Sequence, residues 1–133
     1  MVNKFSQLYQ KSRIDSLSPG RIILLMFDTS LQNLSRTRDV LSQGFSFRNQ
    51  EVLHANLQKV ENIMQELQGC LDFQSAKELA VTLFRLYDYV CDQLAIVRSK
   101  RSLEHLGNAE KVLKELRDGW AGMLQKRGEG DGH

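Results

Sequence analysis

Glu51 and His54 stand at the Glu-x-x-His spacing that puts a carboxylate and an imidazole on one face of a helix, where both can ligate a metal. A di-iron bundle built this way needs a second copy of the element and two further inward glutamates. No second copy exists, because His105 follows Glu104 directly. The spacing therefore predicts no metal site and leaves His54 on a helix surface. Asp88 lies between Tyr87 and Tyr89, which offers an acid beside two phenols. Consecutive helical residues point in different directions, so the favoured reading is structural, with Asp88 accepting a hydrogen bond or capping a neighbouring loop. There is no glycine-rich phosphate loop, Cys/His cluster or Ser/His/Asp set. Neither a catalytic residue nor a cofactor is expected.

The remaining reactive side chains are Cys70 and Cys91. If the second and third helices turn near residues 72–75, Cys70 sits beside the turn and Cys91 roughly 15–20 Å up the next helix. A disulfide needs Cα atoms within about 7 Å. Both thiols are read as reduced, with Cys91 a small core residue.

The elements that carry these residues are helices. The chain has 133 residues and one proline, enough for one domain with one core and too few helix breakers for much else. Its net charge of +2 is too balanced to argue for nucleic acid or membrane binding. Arg98, Lys100 and Arg101, the densest basic patch, are read as a solvated helix end. The first residues lack an apolar core and cleavage site, and the run Ile22–Phe27 is too short to span a bilayer, so a cytosolic chain without membrane insertion is expected.

Residues 1–17 are read as an amphipathic arm in which Phe5, Leu8, Tyr9, Ile14 and Leu17 need a surface to dock on. Residues 18–125 form the bundle, and the glycine-rich residues 126–133 a disordered tail. Ser18 and Pro19 open helix one, Ile22–Phe27 are enclosed around most of its circumference, and Gly44 stops it. Helix two carries Leu53, Leu57, Val60, Met64, Leu67 and Leu71 at alternating steps of three and four. Helix three starts at Ser75, with Glu78 completing a capping box. It bears two apolar lines, one through Leu79, Leu83, Leu86, Val90, Leu94 and Val97, the other through Ala76, Ala80, Phe84, Tyr87 and Cys91. Helix four starts near Ser102 and aligns Leu103, Leu106, Leu113, Leu116, Trp120 and Met123. Short connections between long helices force antiparallel neighbours, giving an all-α, up-down four-helix bundle with a short N-terminal helical arm. Two apolar faces on one helix mean burial on both sides, or burial on one and a docking groove on the other. Tyr87, Tyr89 and Trp120 join the arm residues as candidate partner contacts, since aromatic side chains with polar tips favour recognition surfaces, and Phe84 joins them from the second apolar line of helix three.

In order, Tyr9, Ser18-Pro19, Ile22–Asp28, Ile63–Leu67 with Leu71-Asp72, Leu83–Tyr89 and Leu116–Trp120 resemble the signatures of the flagellin-specific export chaperones of bacterial flagellar systems. The likeness covers roughly residues 5 to 124, with Leu83–Tyr89 its most specific piece. The chain departs from that pattern at Phe27, Thr29-Ser30, Ser75-Ala76 and Val97-Arg98, where the family usually has Tyr, Gly-Ala, Gly-Gly and Ala-Asn. The resemblance implies a cytosolic bundle that holds the C-terminal region of flagellin, prevents its premature polymerisation and brings it to the export gate protein, with Tyr9 important in that hand-over. A diverged bundle with a different client, or one that self-associates as a homodimer through the same stripes, is the competing expectation.

Overall fold

Ser18 and Pro19 do start the first helix. The Ser18 Oγ accepts a hydrogen bond from the Arg21 N–H at 3.2 Å, and Pro19 fills a first-turn position where its missing N–H costs nothing. The computed structural model describes residues 18–127. It consists of α1 (Pro19–Ser42), α2 (Phe47–Gly69), α3 (Lys77–Lys100) and α4 (Leu103–Lys126), with no strand among the described residues. The arm (1–17) and residues 128–133 of the expected tail lie outside the described residues.

Each helix packs on two neighbours, α1 on α2 and α4, and α3 on α2 and α4. With such short turns the result is the expected antiparallel four-helix bundle, about 35 Å long at about 1.5 Å per residue. The start of α1, the end of α2, the start of α3 and the end of α4 share one end of it.

Each turn has its own chemistry. Gly44 takes φ 82°, a left-handed conformation that suits glycine, and Ser46 caps α2 by accepting from the Asn49 N–H at 3.0 Å. The α2–α3 turn departs from the expected capping box. Asp72 Oδ1 accepts from the N–H groups of Gln74 and Ser75, both at 3.0 Å, and α3 begins after Ala76 with no side-chain cap. Asp72 offers the nearer acceptor, so the turn is organised from its first residue and Ser75 is consumed as a donor.

The basic patch does lie at the end of α3, where Lys100 is exposed as expected, but Arg98 and Arg101 are paired. Arg98 Nη1 and Nη2 donate to the two carboxylate oxygens of Glu61 on α2, each at 2.8 Å, a fork that ties α3 to its neighbour. Arg101 is left-handed (φ 51°), which costs a non-glycine residue about 1–2 kcal/mol. Its guanidinium offsets that by donating to Gln50 Oε1 at 2.7 Å and to the Gly44 carbonyl at 3.1 Å. On the opposite side, α4 is tied to α1 by Arg117–Asp28 at 2.8 Å and by Arg38–Glu110.

The core contains Leu53, Leu57, Val60, Met64 and Leu67 of α2 as the spacing predicts, joined by Ile63, while Leu71 lies past the end of the helix and is only partly buried. On α3 the buried seam merges the two expected lines into one. Ala80, Tyr87, Val90, Leu94 and Val97 are buried with Leu83 packed against them, while Leu79 is 60% exposed. Steps of three and four through Ala80 keep that seam facing inward, which rotates Leu79 out. On α4, Ala109 and Leu124 join Leu106 and Leu113, whereas Leu103 is half exposed. On α1, Met26 and Phe27 are buried, but Ile22–Leu25 are only partly so, contrary to expectation. Ile23 looks into an open groove instead of a closed core.

Candidate functional site

Around the end where α1 and α3 begin and α2 and α4 finish, the bundle fails to close. A groove of about 450 Å³ remains there. Ile23 and Phe27 come from α1, Leu67 and Cys70 from the end of α2, and Leu71 and Asp72 from the turn. Ala76, at the N-cap of α3, adds to the turn, and Leu79, Ala80, Leu83 and Tyr87 come from α3. Leu116, Gly119, Trp120 and Met123 with Glu115 close it along α4. Small residues at Ala76, Ala80 and Gly119 keep the walls apart, and the long apolar chains opposite them line the floor.

Two aromatic residues set the geometry. Tyr87 is 4% exposed and its ring lies 6.5 Å from that of Phe27. Burial pushes its hydroxyl up to about 12, so it stays a neutral phenol at any physiological pH. Trp120 donates its indole N–H to the Gly20 carbonyl at 2.8 Å, which fixes the end of α4 to the first turn of α1. Partial burial, with Glu66 second, raises the Cys70 thiol, and burial pushes the Cys91 thiol up to about 11. Both thiols are free.

The charged side chains lining the groove are both acidic. Asp72 stands on one lip, held below its ordinary value by the N–H and hydroxyl of Ser75 and then the N–H of Gln74. Glu115 stands on the α4 lip. A site for a small polar ligand brings several donors and acceptors to one point. These walls bring almost none, and they suit the apolar face of a docked helix.

Of the candidates named from sequence, Tyr87 and Trp120 line the groove. Phe84 and Tyr89 are exposed on α3 away from it, and Phe84 packs on Phe73 with ring centroids 6.1 Å apart. Phe5, Leu8, Tyr9, Ile14 and Leu17 lie outside the described residues. Asp88 takes a structural role, accepting from Gln68 Nε2 at 2.8 Å. His54 is exposed on α2, as expected, and its Nδ1 accepts from Arg98 Nε at 3.0 Å. Sequence reasoning missed Ile23, Leu79 and Cys70 as groove residues. The doubled apolar face of α3 was the available signal, and it identified the helix without separating wall from core.

The sequence model of the family described as flagellar protein FliS matches residues 1–127. The chain belongs to the FliS family. It is 26% identical to the flagellar secretion chaperone FliS of Salmonella typhimurium, over 94% of this chain and 90% of the relative. With the chaperone of the same name from Bacillus subtilis the identity is 26%, over 88% and 84%. A solved structure described as a flagellar chaperone from bacteria superimposes with a TM-score of 0.71 at 25% identity, covering 91% of this chain and 95% of the other. That family is one of flagellar secretion chaperones, as the names of both relatives say. No helix among the described residues is long and apolar enough to cross a membrane.

Proposed function

We propose that this FliS family member acts in the cytosol, binding the C-terminal region of flagellin in the groove at the end of the bundle where α1 and α3 begin. There it prevents premature polymerisation and delivers its client to the export gate. The observation that carries this reading is the groove itself, apolar along its walls and open at one end of the bundle. A client segment disordered alone recovers its ordering cost by laying an apolar helical face onto such walls.

The arm is a removable cover in this scheme. It precedes Ser18, and the α1 turns that follow line the groove mouth. It offers Phe5, Leu8, Tyr9, Ile14 and Leu17 as groove fillers. Lys4, Lys11 and Arg13 outnumber Asp15 in it, which suits acidic lips at Asp72 and Glu115. Cover and client compete, so the cover lowers apparent affinity while shielding apolar surface from aggregation. Tyr9, released with the cover, is then free for the gate.

Trp120 is the single tryptophan and lines the groove, so its fluorescence reports occupancy. Titration with a C-terminal flagellin segment from the same organism should shift its emission and saturate at one segment per chain. Unchanged emission with a segment shown to bind elsewhere on the protein would refute the groove as the client site.

A further inference from the structure

At the opposite end of the bundle lies a second surface that the client groove does not use. Phe45 and Phe47, in and just after the α1–α2 turn, are 65% and 83% exposed, with ring centroids 5.9 Å apart in an edge-to-face pair. The backbone beneath them is fixed. The Gly44 carbonyl accepts from Asn49 Nδ2 at 3.2 Å and from Arg101 Nη2 at 3.1 Å, and the Arg101 guanidinium lies 5.6 Å above the Phe45 ring. Aromatic side chains held on a fixed turn lose little freedom when a partner covers them.

Beside the aromatic pair runs a polar chain with too many donors. Arg98 Nε donates to His54 Nδ1 at 3.0 Å, so the neutral ring carries its proton on Nε2. That N–H faces the Gln50 amide nitrogen at 3.2 Å, because Gln50 Oε1 already accepts from Arg101 at 2.7 Å. Turning the amide over only moves the conflict to Arg101. Arg98 Nε, His54 Nε2, Gln50 Nε2 and Arg101 Nη1 share His54 Nδ1 and Gln50 Oε1, and what the arrangement lacks is an acceptor. The carboxylate of Glu51, next along α2, makes no hydrogen bond among the described residues, and Glu51 is exposed.

We propose that this end docks an acidic segment of a second protein. An apolar side chain of that segment settles on Phe45 and Phe47, and its carboxylate bridges Gln50 and His54 beside Arg101. A second copy of this chain is the poorer occupant, since two such faces would set arginine against arginine.

The test uses the full chain and two short synthetic amphipathic peptides with the same leucine face, one with a glutamate polar face and one with lysine. Backbone NMR titration should show the glutamate peptide shifting resonances of residues 44–54 and 98–103, more weakly as salt rises. Phe47→Ser, which alters only an exposed ring and should leave the thermal midpoint unchanged, should weaken that binding about tenfold. Three results would overturn the proposal: shifts confined to the groove, equal binding of both peptides at this end, or shifts there that track protein concentration alone and so report a self-associating face.

Discussion

Trp120 and Gly20 are a hundred positions apart, and the indole N–H of one meets the carbonyl of the other at 2.8 Å, joining the last helix to the first beside the groove. Trp120→Phe keeps most of the ring and removes the donor. The expected loss is about 1 kcal/mol in urea unfolding. An unchanged midpoint would show that the hydrogen bond contributes nothing to holding α4 against α1.

Arg98 and Glu61 carry a second cross-helix tie, with side chains 27% and 15% exposed. A forked pair this far from water keeps more of its strength than an exposed one. Arg98→Gln should destabilise the fold by about 2 kcal/mol. A double-mutant cycle with Glu61→Gln should show clear coupling, which an independent pair of losses would not.

The two thiols should react at different rates. Burial, followed by Glu61, Asp88 and Asp92, pushes Cys91 up to about 11, so little thiolate forms near neutrality. Cys70 is also raised but is exposed beside the groove, and iodoacetamide should reach it first. Deleting residues 1–17 should accelerate Cys70 labelling severalfold and leave Cys91 unchanged. Equal rates with and without the arm would remove the arm as a cover.

Asp72 gives the α2–α3 turn an acid sensitivity. Its folded value lies below the ordinary 3.8, so the carboxylate contributes stability above that value and loses it as pH falls through the folded value. Asp72→Ala should be less stable than the parent at neutral pH, and the gap should close in acid. Urea midpoints measured across that range decide it, and a gap constant with pH would mean the carboxylate's charge plays no part.

Much of this was legible in the sequence because helices announce themselves through period and caps. Ser18-Pro19 and Ser102 fixed two starts, and the unbroken seam of α2 fixed its inner face. What was not legible depended on neighbours. Leu79 and Leu83 share a helix and a residue type, yet one is mostly exposed and the other packs on the core, a difference set by how α3 rotates against α4. Arg98 resembles any basic residue at a helix end until Glu61 is placed opposite it. Cys70 and Ile23 entered the groove only once the end of α2 could be set beside the start of α1, and Asp72 outcompeted Ser75 through a turn geometry that spacing alone does not encode.

Whether a disordered flagellin segment folds onto the apolar groove is decided by calorimetric titration over several temperatures. The C-terminal segment of flagellin from the same organism should bind one to one with a large negative heat-capacity change, and Leu83→Glu should abolish that heat in a protein that remains helical. Absence of binding by the folded parent protein, or binding that Leu83→Glu leaves intact, would contradict it.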